Sequence, residues 1–179
     1  KKNLNKIKKK FFFINFKKKI IIVTSHRREN FGSGIINICN ALKQIVKNNN
    51  NIEIIFSVHL NPNISLEVKK RLSNIKNIHL FKPLDYFSFI YLMKLSYLIL
   101  TDSGGIQEEA PSFQKPVLVL RDETERPEVK NFGGALLVGT DQKKITRNVL
   151  KLLNNKKLYN KMSKIKNPYG DGKATNRII

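Results

Sequence analysis

The sequence contains one glycine turn whose residue types could bind an anion. This turn, residues 102–105, reads Asp-Ser-Gly-Gly and joins an apolar run at residues 97–101 to an amphipathic segment. That order is typical of a buried strand, a turn and a helix start, and a helix start exposes unpaired N–H groups at the positive end of its dipole. Ser103 could donate to a phosphate oxygen, while Gly104 and Gly105 would let an anion approach the backbone. The turn predicts a nucleotide phosphate, although an ordinary serine cap beside a flexible turn would read the same.

Two acidic residues follow in the helix predicted after this turn. Glu108 and Glu109 lie about one turn in, where carboxylates favour the helix dipole and could also accept hydrogen bonds from ribose hydroxyls. Residues 102–105 match neither the P-loop pattern nor the GxGxxG pattern of dinucleotide-binding folds. Nucleotide binding therefore needs support from other parts of the chain.

Histidines follow two of the predicted strands. His26 comes after the first strand, beside Arg27 and Arg28, and an imidazole there could hydrogen-bond a phosphate or transfer a proton. His59 ends the second strand and could either fix its loop or contact a ligand. His79 lies inside the third strand, where we expect it only to pack.

A charged loop follows the fifth predicted strand at residues 121–128. Arg121 and Arg126 could each bind a phosphate or a carboxylate through two hydrogen bonds. Taken alone, the loop is better explained by internal salt bridges between these arginines and its own acids, Asp122, Glu123 and Glu125. The sequence has no Cys/His cluster and no acidic metal-loop spacing, so no metal site is expected.

These candidate residues lie at the ends of alternating strands and helices. Nearly continuous apolar runs predict six strands covered on both faces, at residues 20–24, 53–58, 78–81, 97–101, 117–120 and 135–138. Apolar spacing predicts helices at residues 35–47, 65–72, 86–95, 106–112, 127–131, 143–153, 158–164 and 174–179. Strands joined by crossover helices predict an α/β fold with a doubly wound, Rossmann-like parallel sheet.

This topology would bring the two most polar loops together. If the strand order is 3-2-1-4-5-6, the first and fourth strands are neighbours at the topological switch point, where ligands bind beyond the carboxyl ends of the strands. The loop after the first strand, residues 25–30, and the turn at residues 102–105 should then face each other across one crevice.

The composition limits the possible partners. The chain has 179 residues, 34 Lys and Arg against 13 Asp and Glu, and a net charge of +21. Such a charge could serve nucleic-acid binding, but lysines spread through every predicted loop and helix favour compositional drift instead, so no nucleic-acid partner is expected. The single Cys39, at an apolar position of a predicted helix, is expected to be buried and fits a reducing compartment, so a cytoplasmic location is expected.

The first 18 residues are read as a basic tail or linker, with the folded domain at residues 19–179. The apolar stretch at residues 11–16 is too short and too interrupted for a signal peptide, and no segment has the length of a membrane span, so no membrane partner is expected. A start at Lys1 rather than Met indicates a fragment.

Five motifs together closely resemble the non-hydrolysing UDP-N-acetylglucosamine 2-epimerases of bacteria. In family order they are VTSHRRENFG, VHLNPN, LTDSGGIQEEAPS, KPVLVLRDETERPE and NPYGDGKA, within residues 23–174. The resemblance runs from about residue 19 to the end, and it implies the C-terminal half of a GT-B two-domain architecture. The N-terminal half, which carries the catalytic carboxylates of the family, has no counterpart in this sequence.

The resemblance also implies roles for individual residues. His26 matches the histidine that contacts the nucleotide diphosphate and is implicated in catalysis. The turn matches the diphosphate-binding turn, and Arg126 matches a further arginine that binds the UDP-sugar, which reverses the salt-bridge interpretation of that residue. Further matched positions are Glu109 for the ribose, Phe89 and the Leu84 backbone for the uracil, and Arg27, Arg28 and His59 for a possible allosteric site.

The implied reaction interconverts UDP-GlcNAc and UDP-ManNAc by loss of UDP and its re-addition after inversion at C2. No cofactor is implied. The chain alone should bind UDP weakly and should not epimerise without its N-terminal half, whether that half is joined in one protein or supplied as another chain; the complete enzyme is expected to be a homodimer. Alternatives are the nucleotide-binding domain of a GT-B glycosyltransferase, which the HRREN and RDETERPE motifs oppose, and a non-enzymatic basic remnant or binding module.

Overall fold

A single six-stranded parallel sheet organises the chain. The computed structural model describes residues 2–178 and orders the strands β3-β2-β1-β4-β5-β6, which confirms the predicted topology. The bounds of β1 to β6 are Lys19–Ser25, Ile52–Val58, Ile78–Phe81, Leu98–Thr101, Val117–Val119 and Ala135–Leu137. All five strand pairs are parallel.

Within residues 2–178, eight of the nine α-helices lie close to their predicted positions, whereas the first lies in the segment interpreted as a tail and was not predicted. Helices α1 to α9 span Lys2–Lys10, Ser33–Lys47, Pro62–Leu72, Tyr86–Leu95, Gly104–Glu109, Pro127–Asn131, Gln142–Asn154, Lys156–Ser163 and Thr175–Ile178. Short 3₁₀ turns occupy Arg28–Asn30 and Ala110–Phe113.

Two helix boundaries differ from the prediction for identifiable reasons. Helix α3 starts three residues earlier than expected because Asn61 caps it, accepting a hydrogen bond from the Asn63 N–H at 2.9 Å, with Pro62 in the first turn. Helix α5 ends at Glu109, before the predicted residue 112, and continues as a 3₁₀ turn that contains Pro111. Proline lacks the N–H that an α-helix would need there.

The sheet is covered on both faces, as its continuous apolar strands predict. Along β1, Ile21 and Val23 face the larger core, which α2, α3 and α7 cover, while Ile20 and Ile22 face the smaller core. Successive side chains of a strand point to opposite faces, so a strand buried on both sides must be apolar throughout. Cys39 lies fully buried in the larger core, as expected, and burial raises the pKa of its thiol to about 12.

The segment before β1 is packed onto the sheet. Phe11 is 0 % exposed, and its ring meets that of Phe81 edge-on at 5.3 Å between centroids. Lys18 forms an ion pair with Glu53 at 2.8 Å, and the same carboxylate contacts His79 at 2.6 Å, so His79 is paired as well as packed. A domain boundary at residue 19 stays a prediction, and these contacts argue against it. Among the described residues, no helix is long and apolar enough to cross a bilayer.

Candidate functional site

The loops after β1 and β4 meet at the switch point of the sheet, as predicted. Strand β1 pairs with both β2 and β4, and Thr24 lies opposite Thr101 at the carboxyl ends of β1 and β4. The two threonine hydroxyls are buried and lie 2.6 Å apart, within hydrogen-bond distance. The contact between these hydroxyls therefore holds together the starts of the two polar loops that follow β1 and β4.

A buried carboxylate, Asp102, holds the loop after β1 in place. Its Oδ2 atom accepts hydrogen bonds from the backbone N–H groups of His26 at 2.8 Å and Arg27 at 2.9 Å. The Ser25 hydroxyl at 3.1 Å and the Asn30 side-chain amide at 2.9 Å also donate to Oδ2. Asp102 is 0 % exposed, so these donors replace the water that an ionised carboxylate would otherwise need.

His26 lies against the same carboxylate. Its Nδ1 atom is 2.9 Å from Asp102 Oδ1, and its side chain is 42 % exposed. The hydrogen bond with Asp102 raises the pKa of His26 above its ordinary value; burial opposes this shift, the charge of Asp102 adds to it, and the charge of Arg27 opposes it least. Burial pushes the pKa of Asp102 upward, but the His26 and backbone hydrogen bonds outweigh it and the pKa is lowered. The pair is thus arranged as a carboxylate beside an imidazole that readily accepts a proton.

His59 stands next to His26. The two rings lie 6.3 Å apart between centroids, and the Nδ1 atom of His59 accepts a hydrogen bond from the Asn61 N–H at 3.2 Å. His59 therefore fixes its own loop and lies near His26, and its contact with a ligand stays a prediction. Arg27 turns towards the loop after β5 and pairs with Glu125 at 3.3 Å, while Arg28 is exposed in the 3₁₀ turn.

The glycine turn does not cap its helix in the expected way. Ser103 occupies the N-cap position of α5, but its hydroxyl makes no capping hydrogen bond, and its backbone N–H donates to Thr101 Oγ1 at 3.0 Å. The ordinary serine-cap interpretation of this turn is therefore wrong. A Cβ atom added to Gly104 would lie 3.9 Å from Cζ of Arg126, so this guanidinium lies directly beside the turn.

Salt bridges do organise the loop at residues 121–128, but mostly with partners outside it. Arg121 binds Glu29 at 2.6 Å and reaches Glu125, inside the loop, at 3.4 Å. Arg126 pairs with Glu108 of α5 and not with the acids of its own loop. This ion pair therefore holds Arg126, in the loop after β5, beside the glycine turn at the start of α5.

The remaining predicted residues lie in the loop after β3, on α4 and at the end of α5. Leu84, in the loop after β3, and Phe89, on α4, are half-buried and pack against the smaller core. Glu109 is half-buried at the end of α5, where burial and then the charge of Glu108 raise its pKa. Among the described residues, no group of three His, Cys, Asp or Glu side chains is placed to hold a metal ion.

Sequence reasoning missed two members of the cluster, Asp102 and Asn30. Asn30 is buried and donates to Asp102 and to the Leu120 carbonyl at 3.2 Å, linking the ends of β4 and β5. An acid directly after a continuous apolar strand was the available signal, because such a strand is covered on both faces and Asp102 immediately follows it.

The fold and the polar cluster at its switch point define the chain as a Rossmann-like α/β domain. The sequence model of the UDP-N-acetylglucosamine 2-epimerase family matches residues 1–179. The chain belongs to this family, and the match includes the first 18 residues, which the resemblance had left out.

Known members of the family are similar in sequence and in structure. A UDP-N-acetylglucosamine 2-epimerase of Campylobacter jejuni is 57% identical over 166 residues, covering 93% of this chain and 43% of the relative. The crystal structure of the Neisseria meningitidis enzyme bound to UDP-GlcNAc superposes with a TM-score of 0.95 at 44% identity, covering 99% of this chain and 48% of that one. The Methanocaldococcus jannaschii enzyme in complex with UDP-GlcNAc and UDP gives a TM-score of 0.77 at 35% identity, covering 99% and 49%. The chain thus spans less than half the length of these relatives and corresponds to the C-terminal half of their GT-B architecture.

Proposed function

We propose that this chain is the UDP-binding half of an isomerase that interconverts UDP-GlcNAc and UDP-ManNAc. The observation that carries the proposal is the meeting of His26, the glycine turn and Arg126 at the switch point, in a chain of the epimerase family. A donor hydroxyl, a basic guanidinium and an imidazole of raised pKa suit the oxygens of a diphosphate. Related enzymes have been solved with UDP-GlcNAc and with UDP bound, which supports the same ligand class.

Each candidate residue has a role in this proposal. Ser103, Gly104 and Gly105 would contact the diphosphate, with Arg126 beside them. Glu109 would accept hydrogen bonds from the ribose, a role that suits an acceptor at the half-buried end of α5. Phe89 and the backbone of Leu84 would bind the uracil.

The reaction would place its developing charge against these groups. Loss of UDP from the sugar leaves negative charge on the diphosphate, and basic groups already held in position stabilise that charge without reorganising. Proton removal from C2 needs a base, which we assign to the half of the enzyme that this sequence does not match. The chain by itself would then bind UDP weakly and would not epimerise.

Several features of the complete enzyme stay predictions. These are the homodimer, the absence of a cofactor, the cytoplasmic location, and a second, allosteric UDP-sugar site at Arg27, Arg28 and His59. The glycosyltransferase alternative is disfavoured by the family match, which includes both of the motifs that oppose it. A basic binding module would instead bind UDP no better than other anions.

Titration of UDP into the purified chain by calorimetry tests the proposal. At roughly physiological salt, where exposed charges are screened beyond about 8 Å, saturable binding is expected in the wild type and should be lost in Ser103→Asp. Ser73→Asp, which adds the same charge after the C-terminus of α3, should bind as the wild type does. Equal binding by the two variants would reject the glycine turn as the diphosphate site, and absence of wild-type binding would reject the function.

A further inference from the structure

The roles proposed above leave one buried ionisable side chain unexplained. Asp102 contributes both carboxylate oxygens to the loop after β1: Oδ2 to the four donors already described, and Oδ1 to His26 Nδ1 at 2.9 Å. Among the described residues, Oδ1 has no other donor within hydrogen-bond distance. A structural anchor for the loop would need only Oδ2, so the second oxygen is available for the imidazole alone.

The contact with Oδ1 distinguishes the two ring nitrogens of His26. Because an ionised carboxylate only accepts hydrogen bonds, Nδ1 must carry a proton to bond with it. Nε2 then remains as the ring atom for a ligand, since none of the described side chains or backbone groups forms a hydrogen bond with it. In a neutral imidazole this pairing selects the Nδ1–H tautomer, and in the charged form Nε2 also becomes a donor.

Charged or titratable groups near His26 come from the ends of β4 and β2 and from its own loop. Asp102 comes from the end of β4, and His59 comes from the end of β2 with its ring 6.3 Å away. Arg27, on the same loop as His26, opposes protonation, but it is paired with Glu125 of the loop after β5. The strongest influence on the imidazole is therefore the buried carboxylate.

We propose that Asp102 is the positioning residue of this site: it holds His26 by Nδ1 and favours the charged ring, whose protonated Nε2 then points to the diphosphate. The ligand in this statement rests on the proposed function, whereas the Asp102–His26 arrangement rests on the geometry. A fixed donor aimed at the phosphate oxygens would favour the charge that develops when UDP leaves the sugar.

The variant Asp102→Asn changes this arrangement with little change of shape. Its amide oxygen can replace Oδ2 and keep the same donors, while its NH₂ group then faces Nδ1 of His26. An NH₂ group donates, so Nδ1 must become the acceptor and the proton must move to Nε2. The substitution is expected to reverse the tautomer and to lower the pKa of His26, because the hydrogen bond and the charge that raise it are removed.

Nitrogen-15 NMR of the three histidine imidazoles, with the His26 signal assigned by loss in His26→Gln, measures both quantities. In the wild type at pH 9 we expect the Nδ1–H tautomer at His26, and in Asp102→Asn the Nε2–H tautomer. Asp141→Asn, which removes one acid from a helix cap that asparagine also forms, should leave the His26 signals unchanged. An Nε2–H tautomer in the wild type would overturn the proposal, and this measurement decides even if Asp102→Asn does not fold.

Titrations of UDP across pH connect the tautomer to the ligand. Wild-type affinity should fall as pH rises through the raised pKa of His26, and in Asp102→Asn the same fall should occur at lower pH because the pKa of His26 is lowered. Between the two pKa values the variant should bind about tenfold more weakly than the wild type. The same pH dependence in both proteins would overturn the positioning role. Absence of UDP binding to the wild type would instead reject the proposed function and the diphosphate with it, while the NMR result would still decide the pairing of Asp102 with His26.

Discussion

Truncation of Phe11 to alanine should destabilise the whole domain, although the residue lies in a segment that reads as a tail. Phe11 is 0 % exposed and packs among residues of the smaller core, where its ring meets Phe81. Removing a fully buried phenylalanine side chain costs about 3–5 kcal/mol, from lost burial and from the cavity that remains. For a chain of this size, a loss of about 3–5 kcal/mol should lower Tm by roughly 6–20 °C.

The adjacent residue offers a matched control. Phe12 has the same side chain but is 82 % exposed, so Phe12→Ala should change the free energy of unfolding by no more than about 0.5 kcal/mol. Urea unfolding of wild type and both variants, followed by circular dichroism, measures the difference. If the two variants are equally stable, the segment before β1 is not part of the cooperative unit, and the boundary predicted at residue 19 is correct.

Three further perturbations have definite expected outcomes. Arg126→Gln should weaken UDP binding by about tenfold in calorimetry. Glu108→Gln should not weaken UDP binding, because it releases the Arg126 guanidinium from its ion pair. Weaker binding by Glu108→Gln would contradict the role of Arg126 in binding the diphosphate. The pKa of His26 is raised in the folded state, so the stability that its pairing with Asp102 contributes is complete below pH 6.5 and is lost as pH rises through the folded pKa. The stability difference between wild type and His26→Gln, measured by urea unfolding, should therefore shrink from pH 5.5 to pH 9, and a constant difference would refute the linkage. Gly139→Ala should lower Tm by several degrees, because φ is +59° there and a Cβ atom would come within 2.5 Å of a carboxylate oxygen; an unchanged Tm would contradict the strain.

Sheet topology was accessible from the sequence because the strands are continuous apolar runs. Only strands covered on both faces need apolar residues at every position, and crossover helices between them force parallel pairing. Positions with the strongest local signals, such as β3 at Ile78–Phe81 and α4 at Tyr86–Leu95, agree with the prediction at both ends. Where boundaries differed, local residues account for them: the Asn61 cap at the start of α3 and Pro111 after the end of α5.

Contacts between distant residues could not be read in the same way. The ion pair of Arg126 with Glu108 was missed because the loop offers nearer acids, and sequence proximity favours those partners. The packing of Phe11 was missed because six Lys residues at positions 8–10 and 17–19 flank its aromatic stretch and indicate a solvated tail. Neither the partner of a charged side chain nor the burial of a short apolar stretch has a local signature.

The sequence by itself determined the alternating α/β pattern, the neighbouring positions of β1 and β4, and the choice of His26 and the glycine turn as candidates for a nucleotide site. These follow from apolar periodicity and residue type, which are properties of the chain taken a few residues at a time. Tertiary structure alone decided that Asp102 is buried beneath His26. The two residues are 76 positions apart in the chain, and only the pairing of β1 with β4 brings Asp102 Oδ1 to 2.9 Å from His26 Nδ1. Proton binding by the imidazole depends on this contact, so no local stretch of sequence determines it.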